Sequence, residues 1–543
     1  MIQSFHLFLP KFFILLKYFF ISFICITSLM FSQTPTLVND TLNKKKITIE
    51  NADFSDVDED EIPDAIVLTG NVKVLHDGAV LYCNKAYLFR KANFIKCFGN
   101  VRMIQKDTIF LNSKYGEYNG NTKLAMSKGD VVLTTPSSIL TTDVLNFDRN
   151  TQEATYTTGA TIKNNQSTLV SQKGKYLANY SLFEFREKVV VTNPQNVIES
   201  NHLDYYENSG HAYLFGPSTI TNKDGKITTE KGMYDTKLDK ANFDKNTKIY
   251  HDNRLYQADF INYDKIKDIT TATRNFKMTD TINNIIVTGH YAEIFQKKDS
   301  VVVSRRALAK TLVEKDTMYT HARRLVITGK EGNRIFRGYD NARFFKKDLA
   351  GKCDSIHGNE KTGLTKLINN PILWNYENQM TGDLMHLIAN TKTEKMDSLK
   401  VFNNVFIISK DTIGTGYNQV KGAFLNGRFE NDNLREVDII KNTEVVYYMR
   451  DDDQALIGIN KNVSSKINIF LSENDIEEIT FFDKPEGKIY PDKDLHENDR
   501  LLKGFIWRGD ERIKTLDDLF IPEEEAYHQQ MLKDSKKDRE GEK

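Results

Sequence analysis

Several groups of side chains in this sequence have types suited to chemistry, and their spacing decides against each. Asp56-Val57-Asp58-Glu59-Asp60-Glu61 is acidic enough to attract calcium, yet it lacks the glycine and the spaced ligands of a calcium loop, so it reads as a solvated loop. Asp451-Asp452-Asp453 reads the same way. Histidines such as His202, His290 and His321 never fall at metal spacing with one another. No Cys-x-x-Cys, Gly-x-Ser-x-Gly elbow, phosphate-binding loop or dinucleotide fingerprint is present. Carboxylate pairs abound among 74 acidic residues and mean nothing without geometry. The expectation is a protein that is not an enzyme, with no catalytic residue, metal or cofactor.

The elements around these residues must then explain the chain. Its 543 residues would make three or four domains of about 150 residues each. The 74 basic and 74 acidic side chains balance, which argues against a nucleic-acid partner. A mean hydropathy of −0.49 excludes a polytopic helical membrane protein. Only 10 prolines occur, well under the usual ~5%, so a proline-rich linker is a poor description.

The two ends differ from the rest. Lys11 and Lys17 precede the apolar run Tyr18 to Phe31, and no acidic residue comes before Asp40, which reads as a secretory signal over residues 1–32. The run is short for a spanning helix, which needs roughly 20 residues. An uncleaved anchor over Phe12–Phe31 is the alternative. Removal of the signal takes away Cys25 and leaves Cys83, Cys97 and Cys353. Cys83 and Cys97 fall on neighbouring predicted strands and could form a disulfide; the simpler reading has them as small apolar side chains in a β-core. Residues 515–543 turn polar and charged, as expected for a short helix and a solvated tail.

Between the ends the chain is periodic. A turn-like residue followed by an alternating strand recurs at Gly70, Gly99, Gly129, Gly159, Glu187, Gly216, Lys245 and Arg274, at intervals of 28 to 30 residues. A second column runs in step: Leu81/Cys83/Ala86/Leu88, Leu111/Ser113/Gly116/Tyr118, Leu140/Thr142/Leu145/Phe147 and Leu169/Ser171/Gly174/Tyr176, continuing through Ile198, Ile227 and Tyr256 to Ile286. Such periods indicate stacked supersecondary units. Val, Ile, Thr, Tyr and Phe alternate with polar residues, so the unit is built of strands. Glycine inside the first strand implies a bend, and the three-residue step from Ser113 to Gly116 implies a bulge. Each unit is therefore two long strands, each folded near its middle. Stacked antiparallel, they make an all-β, V-shaped trough with apolar residues on the inner walls.

At these residues a resemblance becomes specific. Leu68-Thr69-Gly70-Asn71-Val72-Lys73-Val74, then Leu81-x-Cys83-x-x-Ala86, then Phe98-Gly99-Asn100-Val101 resemble the OstA-like (organic solvent tolerance-like) family. That family includes the periplasmic bridge of lipopolysaccharide transport and the N-terminal domain of its outer-membrane translocon. The likeness is strongest over residues 47–220 and extends towards 300. It departs where Tyr82-Cys83-Asn84 replaces the Ala-Asp usual after the leucine, and the chain is long, like members from Bacteroidetes-type Gram-negative bacteria. The resemblance implies a β-jellyroll that holds the acyl chains of lipopolysaccharide and stacks edge to edge with other OstA-type jellyrolls. It also implies a periplasmic location, with outer-membrane association as an option.

The resulting division is a signal at 1–32, a segment entering the sheet at 33–64 and a regular jellyroll at 65–305. A degenerate continuation or second jellyroll follows at 306–490, then a C-terminal cap and polar helical tail at 491–543. Expected lipid-facing residues are Val72, Val74, Leu81, Val101, Met103, Leu111, Val131, Leu133, Leu140, Leu169, Val189, Ile198 and Ile227, chosen by alternation, so a one-residue error would turn the whole set outward. The competing description is a repetitive β-rich surface or adhesion protein in which the same residues form a dry core. A β-helical polysaccharide enzyme and a transmembrane barrel fit less well, because no acidic residue recurs as a cleft and the strands are bent and charged.

Overall fold

In a computed structural model the described residues are 45–541, apart from 58–61, 106–108, 166, 224, 283, 314–315, 394, 432 and 473–474. The expected signal and part of the acidic run at 56–61 lie outside them. Alternating apolar and polar residues place one side of each strand inward and the other outward. Long strands pair antiparallel in chain order, Ile66–His76 with Ala79–Phe89 and that strand with Phe94–Gln105, and where a bend splits a strand its two halves pair with the two halves of the neighbour; at the far end Leu456–Ser472 pairs with both Asp475–Phe482 and Glu486–Tyr490. All 40 strand segments among the described residues belong to one sheet. It passes without a break through Arg305 and Arg306, because Ile285–Phe295 pairs with both Ser300–Ser304 and Leu308–Val313.

A recurring corner gives the sheet its section. In Phe94–Gln105, Gly99 and Asn100 have φ of +70° and +48°. Phe98 pairs with Tyr115 and Val101 with Ser113, so those two left-handed residues oppose the single residue Lys114. The strand bends there and the inward set resumes beyond it. The extra residue of the bulge thus belongs to the glycine-bearing strand, not to the partner with the three-residue step. Left-handed corners occur at or beside every position of the glycine column, Glu187-Lys188 and Arg274-Asn275 included. They continue at Arg305-Arg306, Asp340-Asn341, Asn369-Asn370, Asn403-Asn404, Lys441-Asn442 and Asp483-Lys484. Asparagine and aspartate tolerate this conformation better than other residues with a Cβ.

At several corners a small hydroxyl residue of the partner strand binds the carbonyl two residues further on. Ser113 donates to the carbonyl of Tyr115 at 2.9 Å, Ser200 to that of His202 at 2.9 Å and Thr229 to that of Lys231 at 3.0 Å. The small residue of the second column is therefore a corner residue. One member of that column is misplaced by the sequence. Met278 pairs with Val287, which is fully buried, while Ile286 points outward, so the column steps by 31 residues there instead of 30.

The C-terminal segment folds back over the sheet. After Tyr490 it crosses the outer face of the wall that carries Ile372, Trp374, Ile408 and Val446. Gln419 accepts a hydrogen bond from the Leu502 amide and donates to the Arg500 carbonyl, both at 2.8 Å. Gln379 holds the Arg508 amide and the Ile506 carbonyl in the same way. Leu308, Ala350, Ile372 and Trp374 pack against Ile513, Leu519 and Phe520. Helix α1 (Pro522–Gly541) then docks at the corner of the sheet, with Glu524 3.1 Å from His321, Glu525 3.0 Å from Arg306 and His528 2.9 Å from His290. Sequence reasoning expected a helix there but not the strap that leads to it.

Two predictions follow from the corner and the strap. A Cβ on Gly99 would lie 2.9 Å from Asn84 Nδ2 on a backbone of positive φ. Gly99→Val is expected to lower stability by about 2 kcal/mol. Gly358→Ala, whose nearest neighbour would be 3.6 Å away, should shift the urea midpoint little. Equal effects would show that the corner is not the sensitive point. For the strap, burial first, then His528, Arg306 and Arg305, push His290 down to about 4. His528 is also held low, by burial and Arg306, and Glu525 and Tyr527 complete the surroundings. A released His290 takes up its proton near its ordinary value of 6.5, so docking weakens as pH falls from about 6.5 to 4. In a Trp507→Phe background, the fluorescence of Trp374 should shift to the red over that range. A flat profile would contradict the assignment.

Candidate functional site

The candidate site is the space between the two walls. Val72, Val74, Leu81, Val101, Met103, Leu111, Val131, Leu133, Leu140, Leu169, Val189, Ile198 and Ile227 are all buried, at 0–8% exposure, in one continuous apolar cluster. They stand on the first wall. Leu68, Leu88, Ile95, Leu145 and Phe185 face them from the second. The walls are in contact and their own side chains fill the interior. Cys83 and Cys97 are both buried and free, each thiol beside the other, with no disulfide. Cys83 takes the corner place that Ser113 and Thr142 occupy in later units. Burial pushes the Cys353 thiol up to about 12.

The free ends of the two walls meet at the mouth of the V, and a seam of polar side chains closes it. The aromatic end of the second column supplies much of this seam, because a buried tyrosine has an apolar ring and a hydroxyl that needs a partner. Arg149 donates to the Tyr118 hydroxyl at 2.5 Å, and Tyr118 bonds His76 Nδ1 at 2.7 Å. His76 Nε2 then donates to the Lys45 carbonyl at 3.0 Å. Arg149 also binds Gln105 Oε1 at 3.1 Å and the carbonyls of His76 and Asp77 at 3.3 and 2.9 Å. Gln105 in turn donates to Gln152 across the mouth at 2.8 Å. Burial is the main reason that His76 is held below its ordinary value and stays neutral.

Equivalent contacts recur along the array. Ser138 and Tyr176 both bind the Glu207 carboxylate, Asn164 donates to the Tyr205 hydroxyl, and Asn196 donates to the Tyr234 hydroxyl at 2.6 Å. Further on, Arg334 pairs with Asp280 at 3.0 Å, both nearly buried. Lys123 pairs with Asp77 at 2.6 Å, and the Lys123 and Lys45 ammoniums hold the Asp77 carboxyl far below the usual range. Burial pushes the Tyr176 and Tyr234 hydroxyls upward, so they serve as neutral donors and acceptors. None of His76, Gln105, Arg149, Asn196 or Glu207 was singled out from the sequence. The spacing of Tyr118, Tyr176, Tyr205 and Tyr234 was the signal, but their hydroxyls went unread.

With this geometry established, comparison with known proteins is informative over the first half of the array. Residues 44–201 and 182–259 match the family described as OstA-like protein. This stretch is similar to that family. Among solved structures, the chain is similar to LptH of Pseudomonas aeruginosa, described as the LptA-homologous periplasmic component of the conserved lipopolysaccharide transport device. The identity is 18%, over 18% of this chain and 76% of that one, with a TM-score of 0.17, so the architecture rests on the strand pairing above. No curated protein sequence matches. Among the described residues no group of three or more His, Cys, Asp or Glu could hold a metal ion, and no helix is long and apolar enough to cross a membrane.

The seam makes one side chain critical. Arg149→Ala would strand four acceptors at a buried junction and is expected to lower stability by about 3 kcal/mol. Arg90→Ala, at an exposed hairpin tip, should stay within about 0.5 kcal/mol of the parent. Matching urea midpoints for the two variants would show that the Arg149 contacts do not hold the mouth.

Proposed function

We propose that this chain is a non-enzymatic periplasmic lipopolysaccharide-binding protein of outer-membrane assembly. Its walls shield the acyl chains during transit, and it joins other bent-strand jellyrolls edge to edge. The observation that carries this reading is an apolar interior that runs unbroken between two walls in a chain whose residues 44–259 match the OstA-like family. Acyl chains need an apolar surface without covalent chemistry, at about 0.8 kcal/mol for each methylene removed from water. Open strand edges suit such stacking: among the described residues Asp475–Phe482 and Glu486–Tyr490 pair on one side only. The thirteen first-wall residues from Val72 to Ile227 are the proposed lipid contacts, reached when the walls part.

One observation favours a second reading. The same thirteen residues are at most 8% exposed, as the dry core of a rigid surface stalk would be. Photo-crosslinking separates the two. A crosslinker at Leu111 or Leu140 is expected to capture lipopolysaccharide in cells, while one at Lys128, exposed on the outside, should not. Capture at Lys128 alone, or at no position, would overturn the transport reading and favour the stalk.

A further inference from the structure

The sheet carries a second concave feature, on its outside. A groove of about 950 Å³ runs along the corner from strand Leu182–Thr192 to strand Ile269–Asp280. It crosses seven successive bent strands, a length of roughly 30 Å. Its lining includes Lys188, Asn201, Asn246, Tyr250, Asp259 and Asn275. The helix-docking site at His290 and Arg306 lies just beyond its downstream end, so the chain's own strap covers the next part of the outer surface and leaves this part bare.

The lining narrows the choice of occupant. Two lysines stand against three carboxylates, so no strong field favours a polyanion. Beside Val190, Pro217 and Tyr250 the lining offers amides, hydroxyls, carboxylates and ammoniums, which an acyl chain would leave without partners. The strands beneath are paired on both sides, from Leu182–Thr192 through Asn196–Tyr206 and His211–Asn222 to Gly225–Asp235, so no free edge invites an added peptide strand. A ligand rich in hydroxyls, each both donor and acceptor, remains. Tyr250, 41% exposed, offers a ring on which the apolar face of a sugar could lie. The corner residues Lys188, Asn246 and Asn275 share the left-handed conformation, which turns each of them outward on a fixed backbone. Corners recur every second strand, about 9.6 Å apart, and three of the four in the groove present a polar side chain, Lys188, Asn246 and Asn275, the fourth being Gly216-Pro217, so polar groups stand at multiples of one step, as suits a polymer.

We propose that this corner groove binds a glycan chain. The inference does not depend on the lipid reading, because the groove lies outside the walls. Two sources share the chemistry: the saccharide part of lipopolysaccharide and the glycan of the cell wall. The test uses the purified full chain in two arms. One is isothermal titration with polysaccharide freed from lipid by mild acid; the other is co-sedimentation with isolated cell-wall sacculi. Binding in one arm is expected, and the arm that responds identifies the source. Tyr250→Ala combined with Asn246→Ala should weaken that binding at least tenfold, with an unchanged melting profile and unchanged lipid crosslinking at Leu111. Binding in neither arm, or equal binding by the variant, would overturn the proposal. Loss of crosslinking at Leu111 with glycan binding intact would instead count against the lipid reading alone.

Discussion

The structure depends on one backbone event: a left-handed corner, most often of two consecutive residues, set against a single residue in the neighbouring strand. A flat antiparallel sheet of this length would expose one apolar face to water along its whole extent. The corner folds that face onto itself, so each strand supplies both walls. The cost is backbone strain, roughly 1–2 kcal/mol for a residue with a Cβ in this conformation. Glycine, asparagine and aspartate reduce it at Gly70-Asn71, Gly99-Asn100 and Gly129-Asp130. Where arginine or glutamate stands at the corner, as at Arg274 or Glu187, neighbouring strands on both sides hold the conformation in place.

From the corner follows a division of labour between the two ends of each wall. Near several of the bends, small hydroxyls bind the carbonyl two residues further on. At the free ends, tyrosine hydroxyls, Arg149 and the Gln105–Gln152 contact bring the walls together. The middle is purely apolar. A seam of hydrogen bonds is a weak closure, because each contributes only about 1 kcal/mol net, whereas a chain of about ten methylenes gains on the order of 8 kcal/mol on leaving water. An apolar guest would therefore outweigh a few seam contacts.

Much of the first half of this arrangement is legible in the amino-acid order. The glycine column falls at the corners, and the inward set from Val72 to Ile227 is the buried set, because alternation about a bulge leaves few choices. Legibility fades where the corner loses glycine. At Asp340-Asn341, Asn369-Asn370 and Asn403-Asn404 the same geometry is made by residues common in ordinary turns, and the strands lengthen, reaching 18 residues in Asn433–Arg450. Cys353, whose thiol bonds the Ser355 carbonyl at 3.2 Å, occupies the place of Ser113 rather than of Leu111. The polar seam was illegible for a different reason, since its partners come from different units, as Ser138 and Glu207 do at a separation of 69 residues.

The strap shows why periodicity alone cannot describe the downstream half. On the outer face of the first wall, the upstream strands carry polar residues such as Thr141, Thr161, Thr219, Thr228 and Lys248. Where the strap lies, the same face carries Leu308, Trp374, Ile408, Val446 and Ile459. A strand apolar on both sides loses the alternation that marks a half-exposed strand, so the very residues that bind the strap erase the repeat signal beneath it. Gln379 and Gln419 explain how so irregular a segment is held: buried amides grip main-chain groups two residues apart and ask little of the side chains between them. Two regimes thus share one sheet. Upstream, a seam at the mouth holds the walls and the outer surface is open to solvent. Downstream, the chain's own end braces one wall from outside.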